Sequence, residues 1–346
     1  EIAARRVVVA AGVKPDVALA QAAGLLCDRG ILVSETLQTS DPAISAIGEC
    51  CQQGNLTAGL VAPCWQQAEA LAAHLAGMPA VPPVMEAAPL RLKVTGIELF
   101  CAGELHGGEG TQIHTVSDPV DGHYRRLLLR DNRLCGVLLW GDISDGPGYF
   151  ARLNTPGQPS LFTPEEDLPP ILNQPLSTEV ARSDVMSKPV LVVAGHGMVG
   201  HHFLQQLVER ELHLRYQVIV FAEESVPAYD RVHLSAWFSG RSAASLSMVE
   251  EGFFEATGIE LRLNQGITQI DLQHRFVVDK LGRQTAWDRL VLATGSSPFV
   301  PPIPGNDAPG CLVYRTLDDL VAIKACAEEG KRGVVVGGGL LGLEAA

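Results

Sequence analysis

Several residue types are scarce in this sequence of 346 residues, and each shortage excludes a class of function. Aromatic residues make up 5% of the chain, and 26 lysines and arginines face 39 aspartates and glutamates. A chain with a net charge of −13 gains no binding energy from the counterions that a polyanion releases. We therefore expect neither nucleic acid nor an anionic membrane surface as a partner.

Long apolar runs and paired cysteine motifs are also missing. No apolar run approaches the roughly 20 residues that cross a bilayer, so we expect no membrane partner. The eight cysteines form no C-x-x-C motif and no Cys/His cluster with the spacing of a zinc or iron–sulfur site, so we expect no metal. Adjacent Cys50 and Cys51 leave a redox-active pair open, although two ordinary thiols are the more frequent case. Unpaired thiols favour a reducing compartment, and we expect a cytoplasmic location.

Glycine and apolar residues are abundant instead. The chain is 47% hydrophobic and contains 35 glycines, which is typical of an α/β protein with tight turns between strands and helices. Strands and helices alternate in residues 1–80 and again in 188–346, whereas 90–145 is rich in strands alone. Seven prolines in residues 147–187 predict a linker.

A glycine-rich turn follows a short apolar strand near the middle of the chain. Gly195, Gly197 and Gly200 form a G-x-G-x-x-G pattern at the start of a predicted helix. The first glycine permits the turn, the second lets the backbone approach a pyrophosphate, and the third lets helix and strand pack closely. The next strand, 217–221, leads to Glu223, whose carboxylate is placed to accept hydrogen bonds from a ribose. Together these features predict a dinucleotide site.

Two further turns extend this pattern. Thr294 and Gly295 end another buried strand, where small residues let the chain turn beside a dinucleotide. Gly337, Gly339 and Gly342 form a second G-x-G-x-x-G pattern, 142 residues after the first. Two such motifs predict one domain for a flavin dinucleotide and an inserted domain for a nicotinamide dinucleotide.

At this point the chain resembles the flavoproteins with two dinucleotide-binding domains, which include the pyridine nucleotide-disulphide oxidoreductases. Segments 229–235 (YDRVHLS), 313–320 (VYRTLDDL) and 337–346 resemble the start of the large subunit of NAD(P)H-dependent assimilatory nitrite reductases. Segment 39–50 resembles the second FAD-contacting segment of the superfamily, with Glu49 where many relatives have Asp. The resemblance implies FAD at the first glycine motif and NAD(P)H at the second.

The family segments occur here in reversed order, with a tail before a head. We expect a junction between the end of a nitrate reductase flavin subunit and the start of a nitrite reductase large subunit, so that both ends of the chain are cut; a single permuted flavoprotein is the alternative. The predicted divisions are the last strand of the NAD(P) domain (1–14), the second half of the FAD domain (15–80), a small strand-rich C-terminal-type region (81–146), the linker (147–187), the first half of the FAD domain (188–315) and a truncated start of the NAD(P) domain (316–346).

The resemblance also implies an activity. The chain is expected to be an FAD-dependent NAD(P)H oxidoreductase that passes hydride to FAD and then single electrons to an iron–sulfur centre of a partner domain or subunit. The cluster and a siroheme are expected only in full-length relatives. Alternatives are a ferredoxin- or rubredoxin-type reductase, an inactive fragment, or a flavin-binding interaction module. We expect negligible NAD(P)H affinity for this chain alone, because most of that domain is missing.

The predicted fold is thus a Rossmann-like α/β fold with an incomplete NAD(P) domain and a small strand-rich region. No side chain is expected to act as a nucleophile or base. The residues predicted to bind FAD or NAD(P)H are Gly195, Gly197, Met198, Gly200, Glu223, Arg231, Thr294, Gly295, Gly48, Glu49, Gly337, Gly339, Gly342 and Glu344.

Overall fold

The computed structural model describes residue 4 and residues 6–78, 89–94, 97–153, 188–327 and 332–345. Two compact units divide the chain, the first formed by residues 1–86 together with 188–346 and the second by 87–187. Within the described ranges, every helix is too short or too polar to cross a bilayer.

The N-terminal part of the first unit contains six short strands and two helices. In the longer helix the buried side chains recur at helical spacing, which gives it one apolar face. In chain order the elements are β1 (Arg6–Val9), β2 (Val13–Pro15), α1 (Ala18–Ala22), β3 (Ile31–Val33), β4 (Ile44–Ala46), β5 (Cys51–Gln53), β6 (Leu56–Thr57) and α2 (Val61–Leu75).

The second unit is one antiparallel sheet covered on one face by a helix. Its strands lie in the order β7-β8-β11-β10-β9. Phe100, Val137 and Leu139 form its buried core, against which Tyr149 and Phe150 of the helix pack. The elements are β7 (Leu90–Val94), β8 (Ile97–Gly103), β9 (Thr111–Asp118), β10 (His123–Arg130), β11 (Arg133–Trp140) and α3 (Gly146–Leu153).

Helix α3 corrects the start of the predicted linker. Residues 147–153 lie in the helix, and Leu153 still packs against the sheet. Pro147 is compatible with this helix because it lies in the first turn, where a backbone N–H has no helical partner. The apolar residues after it therefore decide the local structure. The rest of the predicted linker lies outside the described residues.

The C-terminal part of the first unit returns to alternating strands and helices. Its elements are β12 (Val190–Ala194), α4 (Met198–Glu209), α5 (Leu212–Arg215), β13 (Gln217–Phe221), α6 (Phe253–Thr257), β14 (Glu260–Arg262), β15 (Ile267–Asp271), β16 (Phe276–Asp279), β17 (Gln284–Ala286), β18 (Arg289–Leu292), β19 (Ser296–Pro298), β20 (Cys311–Val313), α7 (Leu317–Cys326), β21 (Gly333–Val336) and α8 (Leu340–Ala345).

A five-stranded parallel sheet forms the centre of the first unit. Its order is β14-β13-β12-β18-β4, so a strand from the N-terminal segment lies beside one from the C-terminal segment. Ile44 pairs with Leu290, and Ala46 pairs with Leu292. Side chains of β12 alternate between two buried clusters, Leu191 entering one and Val192 the other. Burial on both faces explains why these strands are continuous apolar runs rather than alternating ones.

A smaller parallel sheet has the order β20-β1-β21, with β1 at its centre. Val7 pairs with Cys311 on one side and with Val334 on the other. Strand β20 falls within the segment 188–315 that was assigned to the FAD domain, but it pairs with the strand assigned to the NAD(P) domain. The predicted α/β architecture with an added strand-rich region is confirmed.

Candidate dinucleotide-binding site

The first glycine motif forms a tight turn between β12 and α4, which begins at Met198. Gly195 has φ +111°, a conformation that side chains disfavour, and a Cβ there would lie 2.2 Å from the carbonyl oxygen of Ala293. A Cβ on Gly200 would lie 2.4 Å from the carbonyl oxygen of Gly195. Both glycines are therefore required by the chain's own packing, whether or not a cofactor is bound.

The middle glycine of the motif has a different environment. A Cβ on Gly197 would meet only one atom within 4 Å, Nη2 of Arg231 at 3.9 Å. The backbone of Gly197 is extended, at φ −88° and ψ −166°, so nothing in the fold itself demands a glycine there. Open space, a guanidinium group and the N-terminus of α4 are what a pyrophosphate requires.

Arg231 is held by a neighbouring carboxylate rather than left free. It makes an ion pair with Glu224 and lies over the ring of Tyr229, 5.2 Å from the centroid. The Tyr229 hydroxyl donates to the other oxygen of Glu224 at 2.7 Å, and burial raises the pKa of this phenol. Glu223, the predicted ribose acceptor, follows β13 and is exposed. The two adjacent acids thus differ, Glu224 holding Arg231 and Glu223 facing solvent.

The N-terminal segment adds a second wall at the same edge of the sheet. After β4, Gly48 turns with φ +84°, and a Cβ there would touch Val199 of α4 at 3.4 Å. Its N–H donates to the buried side chain of Gln67 in α2, at 2.8 Å. Because the carboxyl ends of parallel strands meet at one sheet edge, Gly48 lies beside the first glycine motif although 147 positions separate it from Gly195.

Glu49 is the centre of a polar cluster that joins three segments. Ser296 donates to Oε2 of Glu49 at 2.7 Å, and Nη2 of Arg315 donates to the same oxygen at 2.8 Å. Arg315 also donates to Ser296 Oγ at 2.7 Å. Both charged side chains are largely buried, with 17% of Arg315 and 24% of Glu49 exposed. The sequence interpretation missed Ser296 and Arg315, although Arg315 lies within the quoted segment 313–320.

The Thr294–Gly295 turn contacts the N-terminal segment as well. The Thr294 hydroxyl donates to the carbonyl oxygen of Asp16 at 2.8 Å, and the N–H of Asp16 donates to the carbonyl of Gly295 at 2.9 Å. The turn therefore holds the N-terminal and C-terminal segments together at this edge of the sheet.

The second glycine motif repeats the geometry of the first. A Cβ on Gly337 would lie 2.2 Å from the carbonyl oxygen of Ala10, which follows β1, and one on Gly342 would lie 2.1 Å from the carbonyl of Gly337. A Cβ on Gly339 would meet nothing within 4 Å. Glu344, in α8, lies near the buried phenol of Tyr314, whose pKa is raised by burial and further by this carboxylate.

The adjacent cysteines are buried thiols. Burial raises the pKa of both Cys50 and Cys51, and it raises the pKa of neighbouring Cys64 to about 12. All eight cysteines are free. Because the thiolate is the reactive form, the buried thiols of Cys50, Cys51 and Cys64 have little nucleophilic or redox reactivity. Among the described residues, no three His, Cys, Asp or Glu side chains converge as metal ligands do.

Two histidines beside the first motif are also buried. Burial lowers the pKa of His196 to about 3 and that of His201 to about 4. Nδ1 of His196 accepts the N–H of Ala228 at 3.2 Å, and its ring contacts His201 and Phe254 edge to face. Both imidazoles are therefore neutral packing groups beneath the turn.

Profiles of two known protein families match most of the chain. The sequence profile of the family Pyridine nucleotide-disulphide oxidoreductase matches residues 1–70 and 189–346. The chain belongs to this family. A second profile, Rubredoxin NAD+ reductase C-terminal domain, matches residues 90–151. Membership of the oxidoreductase family implies FAD and NAD(P)H as cofactors. The middle glycine of each motif, Gly197 and Gly339, has open space around its Cα.

Individual relatives of the chain include nitrite reductase large subunits and a nitrate reductase subunit. The nitrite reductase NAD(P)H large subunit of Klebsiella oxytoca is 63% identical over 161 residues, which are 46% of this chain and 17% of that protein. The nitrite reductase (NADH) large subunit of Escherichia coli (strain K12) is 48% identical over 161 residues, 46% of this chain and 19% of that protein. The assimilatory nitrate reductase electron transfer subunit of Bacillus subtilis (strain 168) is 34% identical over 195 residues, 55% of this chain and 25% of that protein.

These matches confirm the predicted resemblance to nitrite reductase large subunits and to a nitrate reductase electron transfer subunit. The family profile confirms the predicted class, a pyridine nucleotide-disulphide oxidoreductase. The chain spans a quarter or less of the length of these relatives.

Proposed function

We propose that this chain is the FAD-binding electron-input module of an NAD(P)H-dependent assimilatory nitrite or nitrate reductase. The oxidoreductase family supports the class of reaction, and nitrite reductase large subunits at 48% and 63% identity support the narrower assignment. The proposed partner is an iron–sulfur domain or subunit of such a reductase. The proposed location is the cytoplasm, where free thiols remain reduced.

One observation carries the proposal. Strand β4 of the N-terminal segment pairs in parallel with β18 of the C-terminal segment, as the outer strand of the same sheet. This pairing sets Gly48 against Val199 of the first glycine motif and Glu49 against Ser296. The two segments that we propose as FAD-contacting thereby meet at one sheet edge, although one lies near the N-terminus and the other in the C-terminal half of the chain.

The residues at this edge have distinct proposed roles. Gly197 and the N-terminus of α4 receive the pyrophosphate, Arg231 supplies a positive charge beside it, and Glu223 accepts hydrogen bonds from the adenosine ribose. Glu49, positioned by Ser296 and Arg315, would contact the ribityl or pyrophosphate region of the cofactor. Bound FAD supplies a ring that accepts a hydride from a nicotinamide and releases electrons singly. The protein binds and orients, and no side chain moves a proton in this scheme.

The FAD proposal is tested by reconstitution. Purified full chain is incubated with FAD, free FAD is removed by gel filtration, and the flavin-to-protein ratio is measured from visible absorbance. We expect close to stoichiometric FAD, with quenched flavin fluorescence. A colourless protein that takes up no FAD would refute the composite site.

The nicotinamide proposal is tested separately. The small parallel sheet has three strands in the described part of the chain, and β21 and α8 supply one glycine motif. We therefore propose negligible NAD(P)H affinity for the chain alone. Titration of the FAD-loaded chain with NADH and with NADPH measures this affinity, and a dissociation constant in the micromolar range would contradict the proposal.

A second candidate acceptor is supported by one observation. Residues 90–151 match the rubredoxin NAD+ reductase C-terminal domain, which favours rubredoxin or a similar small redox protein as an acceptor. The FAD-loaded chain, reduced chemically, is mixed with rubredoxin or with a nitrite reductase iron–sulfur domain. The acceptor that is reduced faster distinguishes the two candidates.

A further inference from the structure

Strand β9 of the second unit is an edge strand whose outer side is open in the described part of the chain. It pairs with β10 along all eight of its residues and is the last strand of the sheet. Seven of those residues are exposed. In an antiparallel ladder alternate residues direct their N–H and C=O groups away from the paired strand. About half of the backbone polar groups of β9 therefore face solvent.

The sequence of β9 lacks the usual protection of such an edge. Its residues, TQIHTVSD, include no proline, lysine or arginine, and two apolar side chains protrude, with Ile113 47% and Val116 66% exposed. Natural edge strands are commonly blocked by these missing residue types. This edge is therefore suited to accept one more strand.

A groove lies at the C-terminal end of the same strand. It has a volume of about 230 Å³. Its lining combines two carboxylates with aromatic and apolar surface, and consists of Val116, Asp118, His123, Tyr124, Arg125, Trp140 and Asp142.

Arg125 of this groove is already paired with Asp145. Within the described part of the chain neither Asp118 nor Asp142 makes an ion pair, although hydrogen bonds from Ser144 and then the charges of His123 and Arg125 lower the pKa of Asp142. Arg125 donates to Asp145 at 2.8 Å and to the Tyr149 hydroxyl at 3.1 Å. Asp118 Oδ1 accepts the N–H groups of the turn after β9, and Asp142 Oδ1 accepts the N–H of Ser144 at 3.0 Å. Those bonds use one oxygen of the Asp118 carboxylate, and Asp142 also hydrogen-bonds to the side chain of Ser144. The groove therefore presents two carboxylates against one arginine that is already paired with Asp145.

We propose that β9 binds an extended segment of a partner protein as an added strand, with an arginine side chain of that segment in the groove between Asp118 and Asp142. A planar guanidinium presents several N–H donors in a fixed fork and can hydrogen-bond to two carboxylates at the same time, which favours arginine over lysine. Backbone pairing supplies affinity and the groove supplies selectivity for the basic residue. The β9 strand of a second copy fits poorly, because it carries no lysine or arginine to place in the groove.

The test uses the full chain and a synthetic peptide of the same eight-residue length as β9. The peptide starts with arginine, continues with alternating threonine and valine, and carries a fluorescent label at its C-terminus. Paired antiparallel to β9, its arginine lies opposite Asp118. Binding is followed by fluorescence anisotropy. A second peptide replaces arginine by citrulline. In a third peptide the odd-numbered residues carry backbone N-methyl groups, and in a fourth the even-numbered residues carry them.

We expect Asp118→Asn to weaken binding of the arginine peptide about three- to five-fold, as for loss of one partly exposed ion pair. The amide oxygen of asparagine still accepts the turn N–H groups, so the fold is retained, which the thermal midpoint checks. Asp142→Asn is the second variant with the same expectation. The matched control, Asp121→Asn, changes an exposed acid outside the groove and leaves affinity unchanged. The citrulline peptide binds wild type more weakly and is insensitive to Asp118→Asn.

One of the two N-methylated peptides must lose binding, because only one set of alternate N–H groups faces β9. Equal binding of both methylated peptides, equal binding of the arginine and citrulline peptides, or competition by N-acetylarginine amide as strong as by the peptide would each overturn the proposal. None of these outcomes depends on FAD binding, so failure here is distinct from failure of the proposed function.

Discussion

Replacing Gly197 by alanine separates cofactor binding from folding. The backbone at this glycine is extended and its neighbourhood is open, so the chain without FAD accommodates the added methyl group. Glycine is a better N-cap than alanine by up to about 1 kcal/mol, which is the largest loss of stability that we expect. With FAD, the methyl group occupies the space that we assign to the pyrophosphate.

The expected loss of affinity follows from the same geometry. A displaced pyrophosphate forfeits at least one hydrogen bond from a backbone N–H to a charged oxygen, worth about 1.5–3 kcal/mol. Lost contact with Arg231, whose Nη2 lies 3.9 Å from the Cβ position, adds to this. A loss of about 2 kcal/mol corresponds to roughly 30-fold weaker FAD binding.

The assay is a titration of flavin fluorescence, with urea unfolding of the FAD-free chain beside it. The matched control is Gly148→Ala in α3, where an added Cβ also meets nothing within 4 Å but where no cofactor is proposed. This control should leave FAD affinity unchanged. Wild-type FAD affinity in Gly197→Ala would refute the assignment of this turn to the pyrophosphate, as would a large loss of stability in the absence of FAD.

Three further predictions concern stability. Gly200→Ala should lower the free energy of unfolding by about 1–3 kcal/mol even without FAD, because its Cβ would lie 2.4 Å from a carbonyl oxygen; an unchanged urea midpoint would contradict this. His196 and His201 stay neutral in the fold and gain protons on unfolding, so stability is full above pH ~6.5 and should fall by up to about 1.4 kcal/mol per pH unit for each histidine as the pH drops towards about 4. Urea titrations across this window should show that the unfolding free energy of His201→Leu depends less steeply on pH than that of the wild type. Equal slopes would refute the assignment of His201 as a neutral buried group. Arg315→Gln should cost about 1 kcal/mol by leaving largely buried Glu49 without its cation, with partial rescue by Arg315→Lys; no rescue would show that packing, not charge, matters.

Local features of the fold were predictable from short stretches of sequence. The strand–turn–helix units around both glycine motifs follow from rules that act within about 20 residues, namely apolar strands, turn conformations open to glycine, and helix starts. The roles of Gly195 in the turn, of Gly197 in leaving space and of Gly200 in packing were assigned in this way. Strand β9 has a weak local signal because most of its residues are polar, and its pairing with β10 stabilises it.

Contacts between distant segments could not be predicted in the same way. Arg315 and Ser296 meet Glu49 across more than 240 residues of chain, and no spacing rule connects them. Strand β20 lies in the segment assigned to the FAD domain but pairs with β1, because hydrogen bonding at a sheet edge depends on which strand lies beside it. The start of α3 likewise could not be predicted from the prolines. Burial of the apolar residues that follow Pro147 favours a helix although the local composition favours a linker.

The sequence by itself determined that this chain is an acidic α/β protein with two glycine motifs, and it predicted that the family segments occur in reversed order. Glycines, apolar runs and charge act locally, so they can be interpreted without a structure. Only the tertiary structure decided that the N-terminal and C-terminal segments share one sheet, with β4 beside β18 and Gly48 beside Val199. Parallel strands associate through backbone hydrogen bonds and buried side chains, which depend on position in space and not on order along the chain.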